Sequence, residues 1–251
     1  MSEVNVTQKT QELLSRLPKT DSHGSHSLLN PEFTRRHMLQ SQNAGNLLFA
    51  LIRAREAQEL AVSYRDFKVG AAALGFIGNP SYRQLMTGVN MKPDEDTAMN
   101  VHAEQVSLQK ARDRGFDIVS MLVVVGNTQS DKQSGVEMPT LHPCGLCRGV
   151  MSSDPLIDNE ATLIVSALPD FSKIEMYNLE ALHAFHESHD RSGIQQFDLP
   201  YLPTQFDPID YSVGVFRNID TPQSHAESTI WHDTVGPFLL DRQLELMKSL
   251  E

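Results

Sequence analysis

Two short stretches, VHAEQ at residues 101–105 and HPCGLCR at residues 142–148, decide the fold of this chain. His102, Cys144 and Cys147 match a catalytic zinc site in number and type, because such a site takes three protein ligands and leaves a fourth position for water. Glu104 lies two residues from His102, where a carboxylate can reach that water without being a ligand. The two stretches therefore predict a catalytic zinc centre.

Other interpretations of the C-x-x-C pair are weaker. The chain has only two cysteines, both in this motif, so a disulfide framework is excluded. A redox-active pair is disfavoured by the upstream His-x-Glu and by Pro143 in front of the first cysteine. A structural zinc site would normally have four protein ligands. The nearby fourth candidate is His142, which we expect to be a loop residue or a hydrogen-bonding residue behind the ligands.

The composition is that of a globular protein with an acidic balance. Of the 251 residues, 40% are hydrophobic and 21% are charged, and the formal net charge is -11. This charge disfavours a long contact with a phosphate backbone, so we expect a small-molecule substrate and no nucleic acid. No stretch approaches the roughly twenty apolar residues of a membrane span. The polar N-terminus lacks the core of a signal peptide, and the expected location is cytoplasmic.

The hydrophobic pattern predicts strands that alternate with helices. Helices are expected after Pro143 and at residues 43–62, 102–112, 179–185 and 237–250, and strands at residues 67–74, 84–90, 118–125 and 162–168. The first two strands should form a hairpin, and the small residues of the first indicate that another element packs closely on it. This alternation predicts an α/β layered sandwich in which two helix N-termini bring the metal ligands together.

Three regions follow from this pattern. They are a flexible or loosely docked N-terminal arm at residues 1–40, a catalytic domain at residues 41–185 and a C-terminal extension at residues 186–251. Near the end of the catalytic domain, His183, His186 and His189 are three residues apart and could touch on a helix. No carboxylate or cysteine spacing completes a metal site there, so a solvated helix face is expected.

The predicted site suits hydrolytic removal of an exocyclic amine from an aromatic ring. Zinc held by one neutral imidazole and two thiolates keeps its Lewis acidity and can activate a water near neutral pH. Glu104 can take the proton of this water and return it, first to a ring nitrogen and then to the departing amine. Arg148, directly after Cys147, either donates to a thiolate sulfur or is an ordinary helix arginine in solvent.

Beyond these two motifs, the chain resembles the cytidine deaminase family of zinc nucleoside deaminases. YRDFKVGAA at residues 64–72 is similar to the family's Y-x-x-F-x-V-G-A-A strand, and TGVNM at residues 87–91 to its G-x-N stretch. H-x-E followed by P-C-x-x-C is typical of these deaminases. The resemblance covers residues 43–185. It implies a three-layer α/β/α sandwich of cytidine deaminase-like type with N- and C-terminal extensions, and hydrolysis of a free cytidine-like nucleoside with release of ammonia.

The resemblance also implies roles for single residues. Phe67 would line the base pocket, although a plain core aromatic is the alternative. Asn90 would hydrogen-bond the base or ribose, and the Ala103 backbone with Glu104 would hold the edge of the pyrimidine ring. Similar proteins complete their active sites with residues of a neighbouring subunit, so the resemblance also implies a homodimer or homotetramer.

Lys92 is the departure from the family pattern that bears on the substrate. The family usually has a glutamate there, which grips the ribose 3′-hydroxyl, and a cation cannot accept a hydroxyl hydrogen bond. Either Asp94 or Glu95 takes over the ribose after a small loop shift, or the substrate presents an anionic group such as a phosphate, or a modified sugar. Gly149 likewise replaces the family's Gln after C-x-x-C-R.

Three alternatives to a nucleoside deaminase stay open. The first is a deaminase of a nucleotide or purine, and the second is a polynucleotide-editing enzyme, which the acidic balance disfavours because strand binding usually needs a cationic groove. The third is a catalytically silent zinc-stabilised binding protein. The retained Glu104 argues against the third, because a protein that only needs metal for stability has no need of that carboxylate.

Overall fold

The computed structural model describes residues 31–63, 66–78, 83–93, 100–128 and 138–198, with side chains from residue 45 to residue 197. In chain order the elements are α1 (Pro31–Glu59), β1 (Val62–Ser63), β2 (Val69–Phe76), β3 (Arg83–Val89), β4 (Met91–Lys92), α2 (Ala103–Arg114), β5 (Ile118–Gly126), α3 (Gly145–Ser153), β6 (Leu163–Ala167), β7 (Lys173–Tyr177), α4 (Leu179–Ser188) and β8 (Gln195–Asp198). The predicted helix at residues 237–250 lies outside the described residues.

A six-stranded mixed sheet forms the centre of the molecule, with the strand order β3-β2-β5-β6-β7-β8. The β5 and β6 strands run parallel, and the other neighbouring pairs are antiparallel. The predicted hairpin of the first two strands is confirmed, since β2 pairs with β3 from Gly70 opposite Val89 to Phe76 opposite Arg83. A separate parallel pair, β1 with β4, lies beside the start of the hairpin.

Helices cover both faces of this sheet and make three layers. On one face α1 buries Leu47, Leu51 and Ala54 against alternate residues of β2, β5 and β6. On the other face α2, α3 and α4 pack against the residues between them, with Leu108, Met151 and Leu182 in the shared core. Because both faces are covered, every residue of β5 is buried. The predicted three-layer α/β/α sandwich is confirmed.

Several predicted boundaries differ from the observed ones. The first helix begins at Pro31, well before the expected start at residue 43, so the last ten residues of the predicted arm are helical. The second helix is closer to its predicted bounds, since it spans Ala103–Arg114 and ends at Gly115, whose backbone is left-handed with φ of 81°. The β7 and β8 strands were not expected, since Lys173, Glu175 and the polar residues of β8 hide their alternation. No helix among the described residues is long and apolar enough to cross a membrane.

Two glycines allow helices to approach the hairpin with backbone against backbone. A Cβ atom on Gly70 would lie 1.9 Å from the Ala54 carbonyl oxygen of α1. On the opposite face, a Cβ atom on Gly88 would lie 2.0 Å from the Ala103 carbonyl oxygen and 2.6 Å from the Ser107 nitrogen of α2. The close packing expected from the small residues of β2 is therefore real, and Gly88 sets how deeply the start of α2 sits on the sheet.

Replacing Gly88 with Ala should destabilise the protein by about 2 kcal/mol or more, because the new methyl group overlaps backbone atoms that cannot rotate away. Urea unfolding followed by circular dichroism measures the change. The control is Gly149→Ala in α3, where no atom lies within 4 Å of the new Cβ. This second change should stabilise by about 0.5–1 kcal/mol, since alanine favours a helix interior. Equal unfolding midpoints for Gly88→Ala and the wild type would contradict the packing argument.

Candidate metal centre

The topology brings two helix N-termini to one edge of the sheet. Helix α3 connects the parallel strands β5 and β6, so it runs back against them and starts near the end of β5. Helix α2 is followed after a short turn by β5, so it also runs against that strand and starts at the same edge. The H-x-E and C-x-x-C motifs stand at these two starts, as the sequence predicts.

His102 is the residue that caps α2. Its backbone is extended, with φ of -99° and ψ of 143°, and its side chain makes no hydrogen bond to the helix. The residue before it is held by two backbone bonds between Val101 and Met91, with N···O distances of 2.9 and 3.0 Å. The imidazole is therefore not used to cap the helix, and the backbone next to it is held in place by hydrogen bonds.

Cys144 and Cys147 stand at the start of α3 and differ in exposure. Cys144 is the capping residue and is exposed, whereas Cys147 lies in the first turn and is fully buried. The predicted position of Pro143 at the front of the helix is approximately right, because the helix begins two residues later at Gly145. The Arg148 amide donates to the Cys144 carbonyl oxygen at 2.9 Å and starts the helical pattern.

The three predicted ligand atoms meet. The His102 Nδ1 atom lies 3.5 Å from Cys144 Sγ and 3.4 Å from Cys147 Sγ, and all three atoms are within 4.8 Å of one another. Ligands around tetrahedral zinc stand about 3.6 Å apart, given metal–ligand distances of roughly 2.0–2.3 Å. The donor set and its spacing therefore fit a zinc ion. Among the described residues this is the one cluster of three or more His, Cys, Asp or Glu side chains suited to a metal.

Hydrogen bonds among the three predicted ligand side chains shift their pKa values. The bond with Cys147 lowers the pKa of Cys144 to about 3, while the same bond and burial raise the pKa of Cys147. The bond to Cys144 raises the pKa of His102. Because zinc binds thiolates and neutral imidazole, metal binding must release the protons that these groups retain.

Glu104 lies in the first turn of α2, one residue beyond Ala103, and is 5% exposed. Burial raises the pKa of its carboxyl group, and the negative charge of Cys144 raises it further. The carboxyl is close enough to Cys147 for each to influence the other's pKa. A carboxyl with a raised pKa beside a metal site is suited to take and return protons near neutral pH.

Phe67 and Lys92 lie together beside the ligands. The Lys92 ammonium stands 5.3 Å from the centre of the Phe67 ring, which is within the range of a cation–π contact. Lys92 is also near enough to His102 for its charge to oppose imidazole protonation. The Phe67 ring is half-buried and packs on the small cluster that contains Ala103 and Leu141.

Asn90 is almost completely buried, with 1% exposure. Its side-chain oxygen accepts from the Val69 amide at 2.7 Å, and its side-chain nitrogen donates to the Phe67 carbonyl oxygen at 2.7 Å. These bonds brace the segment that carries Phe67. The expected contact of Asn90 with substrate stays a prediction, and the second amide hydrogen is the group it would use.

Arg148 donates to the Pro143 carbonyl oxygen at 2.9 Å and is half-buried. This bond folds the arginine back over the loop that precedes the C-x-x-C motif. The bond distinguishes Arg148 from an arginine wholly in solvent, and donation to a thiolate sulfur stays a prediction.

Sequence reasoning missed a buried polar cluster behind the ligands. The Glu175 carboxylate of β7 accepts hydrogen bonds from Thr140, His142 and Arg191. His142 does not belong to the ligand cluster, in agreement with the expectation that it hydrogen-bonds behind it. A charged residue between the apolar Ile174 and Met176 was the available signal for this cluster.

The three histidines expected on a solvated helix face have different surroundings. His183 Nε2 lies 3.0 Å from the Ser152 hydroxyl of α3, and the His186 ring packs edge-on against His142 with centroids 5.7 Å apart. His189 is exposed and ends α4 in a left-handed conformation. Only His189 therefore matches the solvated description fully.

Comparison with known proteins gives one family and a set of similar structures. Residues 48–154 match the family model for the cytidine and deoxycytidylate deaminase zinc-binding region. Curated proteins give no match. The chain is similar to the cytidine deaminase from Burkholderia pseudomallei, with 23% identity over 53% of this chain and 93% of that one, and a TM-score of 0.42.

Two mycobacterial cytidine deaminases show similar likeness. The Mycobacterium tuberculosis protein has 26% identity over 46% of this chain and 80% of its own, with a TM-score of 0.35. The Mycobacterium leprae protein has 20% identity over 55% of this chain and 96% of its own, with a TM-score of 0.38. The matched family region contains all three predicted ligands and Glu104. Residues 48–154 therefore match the zinc-binding region of the cytidine and deoxycytidylate deaminase family, over a little less than half of the chain.

Proposed function

We propose that the chain is a zinc-dependent hydrolytic deaminase that converts a free cytidine-like nucleoside to its uridine-like counterpart and releases ammonia. The observation that carries this proposal is the meeting of His102 Nδ1 with two cysteine sulfurs next to the buried carboxyl of Glu104. A metal that only stabilised the fold would have no use for a buried acid with a raised pKa beside it.

His102, Cys144 and Cys147 would hold the zinc ion, which when bound supplies Lewis acidity and activates a water molecule. The chain's own contribution to the reaction is proton transfer and positioning. Glu104 takes a proton from the attacking water, gives it to the ring nitrogen beside the reacting carbon, and carries a second proton to the departing amine. The second proton comes from the hydroxyl group added to the base, so one water is consumed for each ammonia that leaves and the atoms balance.

The substrate base would lie between the ligand cluster and Phe67. Phe67 offers an apolar ring face to the base, while the backbone of Ala103 and the carboxyl of Glu104 would hold its polar edge. The bonds of Asn90 to the Phe67 carbonyl and the Val69 amide support this arrangement, because they fix the segment from which the aromatic ring projects. Arg148 would keep the Cys144 loop in place through the Pro143 carbonyl.

Replacing Glu104 with Gln should lower kcat by about 10³-fold or more and leave one zinc ion per chain, since the amide keeps the size of the side chain but cannot transfer protons. Ammonia release and elemental analysis measure the two properties. Asp113→Asn, an exposed change on the same helix, should leave both unchanged. Residual activity near the wild-type level would remove the assigned role of Glu104.

A substrate panel tests the proposal as a whole. Cytidine, deoxycytidine, their phosphates, adenosine, guanine and single-stranded DNA are incubated with the zinc-loaded protein, and ultraviolet absorbance and ammonia are followed. We expect turnover of cytidine or deoxycytidine and none of the DNA. Tight zinc binding with no ammonia from any compound would instead identify a silent zinc-stabilised binding protein.

A nucleotide is the second candidate substrate, and one observation favours it. Lys92 places a cation over the Phe67 ring, next to the proposed base site. Among the described residues, no carboxylate forms an ion pair with Lys92 within 4.0 Å. An ammonium group in this position can bind a substrate phosphate through charge-assisted hydrogen bonds.

If Lys92 contacts a phosphate, Lys92→Gln should lower kcat/KM for cytidine monophosphate about tenfold or more relative to cytidine, because one charge-assisted hydrogen bond is lost. The matched control is Lys110→Gln. Lys110 is an exposed lysine of α2 that donates to the Thr87 carbonyl oxygen of β3. This control should leave the ratio of the two kcat/KM values unchanged. An equal loss for both substrates in Lys92→Gln would assign Lys92 to the support of Phe67 and not to phosphate binding.

A homodimer or homotetramer in the cytoplasm completes the proposal. Met91 pairs with Val62 on one side and with Val101 on the other, beside the predicted ligands. All three apolar residues are exposed to solvent, Val62 by 55%, Met91 by 50% and Val101 by 38%. Contact with a second copy would cover this patch, which directly precedes His102. Sedimentation equilibrium of the zinc-loaded protein distinguishes a monomer from these assemblies.

A further inference from the structure

Glu175 is a fully buried carboxylate in the middle of β7. Its side chain has no exposure to solvent, and its neighbours Ile174 and Met176 are buried apolar residues. A buried charge is unfavourable unless strong hydrogen bonds and opposite charge compensate for the lost water. The partners of Glu175 therefore show what its presence in the core achieves.

Three donors from two segments converge on this carboxylate. The Oε2 atom accepts from the Thr140 hydroxyl and from His142 Nε2 at 3.0 Å, and the Oε1 atom accepts from the Arg191 guanidinium. Burial alone would raise the pKa of Glu175, but these bonds hold it below its ordinary value. Glu175 is thus an anion that joins the loop before Cys144 to the connection between α4 and β8.

The loop before Cys144 depends on these side-chain contacts. Within the described ranges, residues 139–143 take part in no backbone–backbone hydrogen bond. Thr140 and His142 are buried, and both are hydrogen-bonded to Glu175. On the other side the Pro143 carbonyl oxygen accepts from Arg148. The loop is therefore held between a carboxylate of the sheet and an arginine of α3.

The His142 ring lies between Glu175 and the predicted metal ligand Cys144. Tyr177 and Phe185 pack edge-on against the imidazole, each with centroids 5.2 Å away. Its Nδ1 atom is buried with no hydrogen-bond partner among the described residues, so the Nε2 bond to Glu175 fixes the orientation of the ring. A single residue, Pro143, separates His142 from Cys144, and the proline ring restricts the intervening backbone.

We propose that Glu175 is a positioning residue of the metal centre, which holds Thr140 and His142 so that Cys144 Sγ stands beside His102 Nδ1. The inference rests on the metal ligands that the proposed function uses, but on no substrate or product. Residues that orient metal ligands through hydrogen bonds typically change metal affinity 10- to 100-fold when replaced. The proposal therefore predicts a change in metal binding itself.

The test uses Glu175→Gln in the full chain, with metal alone as the probe. Glutamine keeps the size of the side chain but presents an NH₂ group in place of one acceptor oxygen, so it cannot accept from all three donors. The zinc dissociation constant, measured by competition with a chelator, should rise about tenfold or more. In the Co²⁺-substituted protein, the thiolate-to-cobalt charge-transfer absorption should shift or weaken because Cys144 is displaced.

Two control variants separate positioning from general loss of stability. Ser120→Ala removes a buried hydrogen bond to the Leu74 carbonyl oxygen near the start of β5, and Glu180→Gln removes an exposed carboxylate of α4. Both should keep the zinc affinity and the cobalt spectrum of the wild type. If Glu175→Gln lowers the unfolding temperature as Ser120→Ala does but leaves both metal readouts unchanged, the positioning role is overturned.

Thr140→Val tests the same link without removing the buried charge, since His142 and Arg191 still pair with Glu175. This change should weaken zinc binding several-fold. The double variant with Glu175→Gln should bind zinc no more weakly than Glu175→Gln alone, because both changes break the same link between Glu175 and the loop. Should Glu175→Gln fail to fold, Thr140→Val alone decides, and an unchanged zinc affinity overturns the proposal. A protein that shows the predicted metal binding but no deaminase activity would refute only the proposed function.

Discussion

The close contact between the first turn of α2 and strand β3 at Gly88 is the constraint on which the site depends. The Ala103 carbonyl lies where any side chain at residue 88 would have to stand, so the helix start is pressed onto the sheet. This contact places His102 at the sheet edge and Glu104 below the surface. The parallel arrangement of β5 and β6 then brings α3 to the same edge with its two cysteines.

The surroundings of the ligands divide the site into a rigid side and an open side. Cys147 and Glu104 are buried in the helix layer, whereas Cys144 is exposed and His102 is half-buried. The buried side holds the Glu104 carboxyl group, whose pKa is raised by the loss of water around it. The open side lies near Lys92, whose ammonium group makes a cation–π contact with the Phe67 ring.

Residues with strong local constraints could be predicted from the sequence. The H-x-E and C-x-x-C motifs predicted the three ligands that meet in the structure, and Gly115 marked the end of α2 through its left-handed backbone. The apolar run of β5 predicted a strand covered on both faces. The alternation of helices and strands predicted a layered α/β sandwich, because each element must bury its apolar face against a neighbour. The three-layer form was what the family resemblance implied.

The missed features depend on contacts between residues distant in sequence. Glu175 interrupts the apolar pattern of β7, and only the fold shows that Thr140 and Arg191 satisfy its charge. The bonds of Asn90 to the Phe67 and Val69 backbone were not expected either, because they depend on how the hairpin lies beside the β1–β4 pair. Burial and pairing of a polar side chain are properties of the whole fold, so a motif alone does not reveal them.

The distance in sequence between His142 and Glu175, 33 residues, has a consequence for synthesis of the chain. All three metal ligands and Glu104 precede residue 154, where the family-matched region ends. Strands β6 and β7, and with them the carboxylate that holds the Cys144 loop, are synthesised afterwards. With the role proposed for Glu175, a nascent chain would present all three predicted zinc ligands before the carboxylate that orders the Cys144 loop has been synthesised.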